Sequence, residues 1–387
     1  MSDARTDVTP DVAVIGAGIV GVSVAAHLAA AGTSVTVYES SAVAAAASGR
    51  NSGVVQQPLD PVLGELYVET LEQYRELAAE VPASFALPAN PAGLLLVGGD
   101  TPDLRAAADD MRRSHPQLDP QYLAPGEVTR LEPAVAADVA AIRLAIGYPV
   151  APAAATRAMA ARAERLGARF EIGRAVRPWV RDGRAAGVLV DGQAVAAGTV
   201  VVAAGPWSAG IVDPSGEWTP IRPLWGVVVE IGLTDPPRHV LEEADIDVES
   251  GGLGGDADGA GWRPSFSLVP AGTASTLGST FLAWEPDRPA IVPRLIEHGA
   301  KFVPGVAGAR VGASRACSRP LSLDGRPLIG RVPSVEGLWI AAGHGPWGIS
   351  TGPASGRLLA DLIRGRVAAP PPALDPARFG ASPRAPA

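Results

Sequence analysis

The stretch from Val12 to Gly21, VAVIGAGIVG, decides the fold of this chain. An apolar strand leads into a helix, and Gly16, Gly18 and Gly21 between them have the spacing GxGxxG. Glycines at this spacing permit a tight turn, let a pyrophosphate approach the backbone and allow the helix to pack closely on the strand. A second apolar strand ends at Glu39, whose carboxylate suits a ribose diol and would repel a 2′-phosphate. The stretch therefore predicts a βαβ unit that binds a dinucleotide other than NADP.

The composition is typical of a large globular chain. Its 387 residues predict two lobes, and 47% hydrophobic against 19% charged residues is ample for a large buried core. The net charge of −8 supplies no basic field, so we expect neither nucleic acid nor an anionic membrane surface as a partner. The composition is compatible with a homo-oligomer and with a complex with a partner subunit.

Several classes of chemistry lack the residues that they need. The only cysteine, Cys317, permits no internal disulfide and favours a reducing, cytoplasmic setting. The only lysine, Lys301, lies outside any Gly-Lys-Ser/Thr sequence, which disfavours P-loop NTPases and pyridoxal enzymes. The five histidines are scattered, and no metal site is predicted. The apolar run Val12–Ala31 is long enough for a membrane span, but its acidic flank and its glycines predict a buried strand and helix instead.

Two later segments are predicted to return to the same sheet. Apolar strands at Thr199–Ala203 and Leu338–Ala342 each end in a glycine turn, at the carboxyl end where ligands of α/β proteins bind. Such returns favour the long cofactor FAD over NAD, because FAD needs further segments to wrap it. A helix begins near Ile349, and its N-terminus would stabilise negative charge on a reduced flavin.

These motifs occur together in one known family. The chain carries VIGAGIVG with Glu39, SGRNSG from Ser48, VVVAAGPWS, and RPLSLDGRPLIG followed by AAGHGPWGISTGPASGRLLADLI. In their order and spacing it resembles the D-amino-acid oxidase family of FAD enzymes, most closely the glycine and sarcosine oxidases. The resemblance implies FAD as the cofactor and an α/β fold (α+β overall). Such a fold has a Rossmann-like FAD-binding domain of the glutathione-reductase type plus a β-sheet-based substrate domain.

The resemblance also implies the residues of the site. Arg319 would grip the substrate carboxylate, since a planar guanidinium fork matches a carboxylate, and His344 would lie beside the flavin ring. The residues expected to contact FAD are Gly16, Gly18, Ile19, Val20, Gly21, Glu39, Ser40, Ser48, Asn51, Ser52, Gly53, Val54, Val176, Gly205, Gly343, Gly345, Pro346, Trp347, Gly348, Ile349 and Ser350.

The FAD-binding domain is expected in three parts, residues 1–80, 146–215 and 315–369. The substrate domain is expected in two parts, residues 81–145 and 216–314. Residues 370–387, which are rich in proline and alanine, are expected to form a flexible tail. The glycine-rich stretch 251–261 is expected to be a mobile loop.

Three positions depart from the family pattern. Pro346 stands where some glycine oxidases have a second arginine, so the substrate carboxylate would have one arginine. Thr276 stands where sarcosine oxidases have a lysine that assists the reaction of the flavin with oxygen. The electron acceptor could therefore be oxygen or another molecule. Cys317 is present at the offset at which sarcosine oxidases link the flavin covalently, and the alternative is a small buried thiol.

The resemblance implies oxidation of the C–N bond of an amino acid or N-substituted amino acid, with hydride transfer to flavin N5 and hydrolysis of the imine. The partners are then a small amine or amino-acid substrate and oxygen or another electron acceptor. One alternative is an acceptor-linked dehydrogenase subunit of the opine or cyanide-forming type. The other is a flavin-binding accessory protein without turnover.

Overall fold

The computed structural model describes residues 10–244, 262–271 and 274–380. The stretch 251–261, expected from the sequence to be a mobile loop, lies outside these residues. The structure divides the chain into two compact units. Unit 1 contains residues 1–48, 156–222 and 320–387, and unit 2 contains residues 49–155 and 223–319.

The strands are β1 (Val12–Ile15), β2 (Val35–Glu39), β3 (Val54–Val55), β4 (Leu94–Gly99), β5 (Gln121–Leu123), β6 (Val139–Leu144), β7 (Tyr148–Pro149), β8 (Arg169–Ile172), β9 (Val176–Arg181), β10 (Arg184–Val190), β11 (Gln193–Ala196), β12 (Thr199–Val202), β13 (Ile221–Gly232), β14 (Val240–Glu243), β15 (Ser267–Val269), β16 (Ser275–Gly278), β17 (Arg310–Ser322), β18 (Leu328–Arg331) and β19 (Leu338–Ala342). The helices are α1 (Ile19–Ala30), α2 (Ala47–Arg50), α3 (Pro61–Glu80), α4 (Pro102–Ser114), α5 (Pro125–Leu131), α6 (Pro152–Arg165), α7 (Ser208–Val212), α8 (Arg288–Gly299) and α9 (Gly348–Ile363).

Unit 1 is built on a six-stranded sheet of order β18-β19-β12-β1-β2-β8. Strand β1 pairs in parallel with β2 and β12, and β12 pairs in parallel with β19. The two predicted returns therefore lie in the same sheet as the first strand, with β12 next to β1 and β19 next to β12, and the carboxyl ends of these three strands meet at one edge of the sheet. Apart from Thr199 at the start of β12, these three strands are apolar and buried, because both faces of a parallel sheet are covered.

Helix α9 packs on α1 through small residues. A Cβ at Gly352 would lie 2.9 Å from Cγ2 of Ile19, and one at Gly356 would lie 2.6 Å from Cβ of Ser23. Both distances are shorter than a normal contact, so only glycine lets the two helices approach this closely. The last long helix of the chain is thereby held against the helix of the dinucleotide motif.

Unit 2 is built on an eight-stranded sheet of order β17-β13-β16-β15-β14-β4-β6-β5. One face carries apolar side chains that form the main core of the unit, among them Val229, Leu241, Leu268 and Leu277. Side chains alternate between the two faces along each strand, so the chain neighbours of these four residues lie on the opposite face. That opposite face carries polar and charged groups at its β17 end and is called the polar face below.

The unit boundaries differ from the predicted domain boundaries mainly at residues 49–80, which the sequence assigned to the FAD-binding domain. Strand β3 pairs with β7, and Val54 packs into a core cluster with Leu94 and Leu144 of the eight-stranded sheet. These long-range contacts place the segment in unit 2. Nothing local in the sequence signals such a pairing.

The predicted flexible tail is packed in this structure as far as Gly380, which corrects that expectation for residues 370–380. Leu374 is buried, and its carbonyl oxygen accepts a hydrogen bond from the Ile329 N–H at 2.8 Å. The Arg378 guanidinium donates to both carboxylate oxygens of Asp324, at 2.7 and 3.0 Å. The buried Leu374 and the bidentate ion pair of Arg378 thus hold this segment in place, although its composition is typical of a loop. Residues 381–387 lie outside the described part of the chain.

Across the described residues, no helix is both long enough and apolar enough to cross a membrane. The apolar run Val12–Ala31 forms β1, a turn and α1, as predicted.

Candidate functional site

The glycine turn after β1 has the geometry that the motif predicts. Gly16 adopts a φ of +109°, and a Cβ there would lie 2.5 Å from the Ala203 carbonyl oxygen. A Cβ at Gly21 would overlap the Gly16 carbonyl oxygen. Gly16 and Gly18 therefore form a tight turn that no side chain blocks, and Gly21 lets α1 pack against this turn. A turn without side chains at the N-terminus of a helix fits the pyrophosphate of FAD.

Glu39 is held at the end of β2 by the same turn. Its Oε2 accepts a hydrogen bond from the Ala17 N–H at 2.9 Å, and its Oε1 accepts one from the Ser41 N–H at 2.8 Å. Ser40 donates its hydroxyl to Oε1 at 3.3 Å. These bonds fix the carboxylate, which is half-buried, and they leave acceptor positions on it for a ribose diol.

Ser48 closes the turn from the other side. Its hydroxyl accepts a hydrogen bond from the Ile19 N–H at 2.9 Å, and a Cβ at Gly18 would lie 3.0 Å from this oxygen. The first N–H of α1 is thus bound by a side chain of the protein, and the Ile19 side chain is buried. The hydrogen bond between Ile19 and Ser48 thus fixes the shape of the turn. The next residue, Val20, is half-buried.

Two further glycine turns lie at the same sheet edge. After β12 the chain forms a short 3-10 helix, Gly205–Trp207, and after β19 a second one, Gly345–Trp347. A Cβ at Gly205 would meet no atom within 4 Å, so the space beside it is open. Gly343 is buried, whereas Pro346, Trp347 and Gly348 are half-buried. Helix α9 begins there without a side-chain cap, and its first residues, Ile349 and Ser350, are buried.

His344 is buried within unit 1, with 2% of its surface exposed. Its Nε2 lies 3.0 Å from the Ser355 hydroxyl of α9, which itself donates to the Thr351 carbonyl oxygen. Burial lowers the pKa of His344 to about 4, so the imidazole is neutral near pH 7. Its contacts tie the glycine turn to the helix. Val176 begins β9 and packs against the core of unit 1.

The segment from Asn51 to Val54 belongs to unit 2. The Asn51 Oδ1 accepts a hydrogen bond from the Gly53 N–H at 2.9 Å, and Ser52 between them is half-buried. Gly53 has a φ of +87°, and a Cβ there would lie 2.5 Å from the Val150 carbonyl oxygen. The sharp turn therefore requires glycine.

Arg319 lies on the polar face of unit 2 and is half-buried. It donates from Nη1 to the Thr280 carbonyl oxygen at 2.8 Å and from Nη2 to the Ser279 hydroxyl at 2.7 Å. Its Cζ lies 4.6 Å from the ring centre of Phe281, and a Cβ at Gly226 would lie within 2.6 Å of three guanidinium atoms. Burial lowers the pKa of this guanidinium from its ordinary value. Within the described part of the chain, no carboxylate pairs with it.

Cys317 and Arg315 lie on the same face of β17 as Arg319, because the three are two residues apart. The thiol is buried, and its Sγ lies 3.9 Å from the Arg50 carbonyl oxygen. Burial raises the pKa of the thiol, and the positive charges of Arg319, Arg50 and Arg315 partly oppose this. A thiol with a raised pKa stays protonated near neutral pH.

Thr276 lies on β16 beside Arg315. The Arg315 Nη2 donates to the Thr276 hydroxyl at 3.5 Å and to the Asn51 carbonyl oxygen at 3.4 Å, and Nη1 forms an ion pair with Glu230 at 2.6 Å. A guanidinium therefore contacts the position at which the resemblance placed a lysine.

Sequence reasoning found Arg319 but missed the residues that hold it, namely Gly226, Ser279 and Thr280. They follow no motif, and only the strand register brings them together. The alternation of Arg315, Cys317 and Arg319 was a usable signal, since period-two spacing places all three on one face. No cluster of histidine, cysteine, aspartate and glutamate that could hold a metal ion occurs among the described residues.

The glycine turn, the fixed carboxylate of Glu39 and the adjacent strand ends fit FAD, and comparison with known proteins agrees. The model of the family described as FAD dependent oxidoreductase matches residues 11–362. A glycine oxidase of Pseudomonas aeruginosa is 32% identical over 207 residues, which are 53% of this chain and 51% of the relative. A D-amino acid dehydrogenase of Cereibacter sphaeroides is 32% identical over 225 residues, covering 54% of this chain and 46% of the relative.

In both of these sequence matches, the chain spans about half the length of the curated relative. The crystal structure of glycine oxidase from Geobacillus kaustophilus superposes with a TM-score of 0.77 at 24% identity, covering 98% of this chain and 99% of that one, which shows the shared fold. The extent of the family match, together with the dinucleotide turn, shows that the chain belongs to the FAD dependent oxidoreductase (DAO) family.

Proposed function

We propose that this protein oxidises the C–N bond of an amino acid or an N-substituted amino acid with FAD as the cofactor. The observation that carries the proposal is Arg319, a half-buried guanidinium with no carboxylate partner among the described residues. Burying a cation without an anionic partner is costly, and a bound anion would remove that cost. A substrate carboxylate is such an anion.

The bonds that Arg319 makes within the protein leave it able to bind a carboxylate. A guanidinium has five N–H groups, and the Thr280 carbonyl and the Ser279 hydroxyl take two of them. Three N–H groups remain, enough for a bidentate carboxylate. The bonds to the protein fix the guanidinium plane, and a fixed plane orients the substrate by its carboxylate end.

FAD, when bound, supplies the acceptor for the hydride that leaves the carbon next to nitrogen. In unit 1, the turn Gly16–Gly21 would hold the pyrophosphate of FAD and Glu39 would hold the ribose. His344 is neutral and bonded to Ser355, so we assign it a positioning role in the glycine turn rather than proton transfer.

The test is anaerobic mixing of the FAD-loaded protein with a panel of D-amino acids, glycine, sarcosine, imino acids and opines. Bleaching of the visible flavin band by at least one of these amines is the expected result. A flavin that no amine bleaches would instead favour an accessory protein without turnover.

A second candidate is an acceptor-linked dehydrogenase, for which Thr276 is the specific observation. The side chain at this position carries no ammonium group, and its hydroxyl contacts Arg315, which is already paired with Glu230. This candidate keeps the substrate site and passes the electrons to a dye, a quinone or a partner subunit. Reoxidation of the substrate-reduced flavin separates the two, because an oxidase reoxidises in air within its turnover time and a dehydrogenase needs the added acceptor.

A further inference from the structure

We propose that Glu242 binds the positively charged amino group of the substrate, opposite Arg319 on the polar face of unit 2. The proposal rests on the proposed function and adds to it the residue that selects an amine. Together the two side chains would recognise both charged ends of an amino-acid zwitterion.

The strand register puts both side chains on one face. Glu242 of β14 lies directly across from Ser267 of β15, and Ser267 lies across from Gly278 of β16. Residues directly opposite each other in neighbouring strands point to the same side of the sheet. Their chain neighbours Leu241, Leu268 and Leu277 point into the core on the other side.

Arg319 reaches the same face from β17. Gly278 pairs with Val228 of β13, and Gly226, two residues before Val228, therefore shares the face. The Arg319 guanidinium lies within 2.6 Å of where a Cβ of Gly226 would be, and it bonds to Ser279, which follows Gly278. The guanidinium thus lies over the β13 and β16 strands, on the side to which Glu242 points.

Between these two groups the polar face carries the short residues Gly278 and Ser267 and, beside them, Val228. The guanidinium lies over Gly226 of β13, three strand spacings from Glu242 of β14, which is about 14 Å between the Cα atoms. Gly278 has no side chain and Ser267 a short one, and a Cβ at Gly278 would lie 2.9 Å from the Ser267 Oγ and 3.0 Å from Cγ1 of Val228. A small amino acid with a hydrogen bond of about 3 Å at each charged end spans most of the distance between the two strands, and the long Glu242 side chain would reach the rest.

The neighbouring carboxylates Glu230 and Glu243 both have cationic partners. Glu230, on the same face, is paired with Arg315, and Glu243, on the core side, is held by His298 and Arg263. Glu242 receives only an amide hydrogen bond, from Gln56 Nε2 to its Oε2 at 3.2 Å. Among the described residues it has no cationic partner. Among the described residues, Glu242 therefore lacks a cationic partner and Arg319 lacks a carboxylate partner on the polar face.

The environment of Glu242 supports this assignment. Burial raises the pKa of its carboxyl to about 6, against the opposing effect of the Gln56 hydrogen bond. The group is therefore mainly ionised at pH 7 to 8, at the cost of keeping a poorly solvated anion. An ammonium group bound beside it removes that cost, whereas a ligand without an amine does not.

The test compares two ligands that differ only in the amine. The first, 2-amino-2-methylpropanoate, has no hydrogen on its α-carbon and so cannot be oxidised there. The second, 2,2-dimethylpropanoate, replaces the amine by a methyl group. Their dissociation constants for the FAD-loaded protein are measured at pH 8 by calorimetry, in the wild type and in Glu242→Gln, Glu242→Asp and Glu285→Gln. Glu285 is an exposed acid of unit 2 and controls for loss of one negative charge.

We expect the wild type and Glu285→Gln to bind the amino ligand at least tenfold more tightly than the methyl ligand. Glu242→Gln should lose that preference by weakening the amino ligand about tenfold or more, with the methyl ligand unchanged within twofold. Glu242→Asp, which keeps the charge, should keep part of the preference, and thermal unfolding verifies that each variant is folded.

An equal effect of Glu242→Gln on both ligands, or no effect on either, overturns the proposal. Neither probe is oxidised at its α-carbon, so this result is independent of the bleaching experiment that tests the proposed function. If amino acids bleach the flavin while Glu242→Gln keeps the preference, only the role of Glu242 fails. If the wild type binds neither ligand, the carboxylate site at Arg319 fails with it.

Discussion

Arg319 is the residue whose loss should cost most activity while leaving the fold intact. Replacing it with methionine keeps an unbranched side chain of similar length and removes the guanidinium. Thr280 and Ser279 each lose one hydrogen bond, but the protein also loses a half-buried cation that has no carboxylate partner in the described part of the chain. The two effects on the free energy of unfolding oppose each other, so we expect a small change in stability.

The effect on catalysis is larger, because the substrate carboxylate loses its partner. A hydrogen bond to a charged group contributes about 1.5 to 3 kcal/mol, so two of them at the lower end amount to about 3 to 4 kcal/mol. At about 1.4 kcal/mol per factor of ten, kcat/KM should fall by about 10²- to 10³-fold. Arg319→Lys restores one charge without the planar fork and should recover part of this loss.

The assay is steady-state oxidation with a dye as electron acceptor, using the amine that bleaches the flavin best. Arg310→Met is the matched control, since Arg310 is an exposed arginine at the other end of β17. A kcat/KM for Arg319→Met within threefold of the wild type, or an equal loss in the control, refutes the reasoning.

Substitutions at Gly226, Glu39, Glu242 and Cys317 test other parts of the two units. Gly226→Ala places a methyl group within 2.6 Å of the Arg319 guanidinium, so kcat/KM should fall toward that of Arg319→Met, and an unchanged value contradicts the packing. Glu39→Gln should weaken FAD binding about tenfold or more in a fluorescence titration, since a carboxylate is a stronger acceptor for the ribose than an amide; equal affinities count against this role. Because the pKa of Glu242 is raised to about 6 from 4.5, its ionisation destabilises the folded state as pH rises through this range. Glu242→Gln should therefore raise Tm over the wild type at pH 8 but not at pH 4.5, and a difference independent of pH speaks against it. The raised pKa of the Cys317 thiol disfavours thiolate attack, so denaturing gel electrophoresis should release the flavin; fluorescence that migrates with the chain and disappears in Cys317→Ser would show a covalent link.

The dinucleotide half of the molecule could be predicted from the sequence because its signals are local. The turn Gly16–Gly21 and Glu39 follow one another within a single βαβ unit. The turn needs glycine because the backbone approaches closely there, and an acid at the end of the second strand suits a ribose diol. The strands at 199–202 and 338–342 could be placed in the same sheet because continuous apolar runs that end in a glycine turn are typical of buried parallel strands.

The polar face of unit 2 could not be predicted in the same way. Glu242, Ser267 and Gly278 come from three strands, and they share a face only because of the register in which these strands pair. A shift of one residue would turn each side chain to the other face, and no local pattern sets that register. The packed tail was missed for a related reason, since its anchor Leu374 is a single apolar residue among prolines.

The central claim is that the substrate is oxidised at a carbon bearing nitrogen. The most direct measurement is anaerobic single-turnover reduction of the FAD-loaded protein by an amino acid and, separately, by the hydroxy acid with the same carbon skeleton. We predict that the amino acid reduces one flavin per 2-oxo acid formed, with release of one ammonia, and that the hydroxy acid leaves the flavin oxidised. Reduction by the hydroxy acid in place of the amino acid would contradict the account.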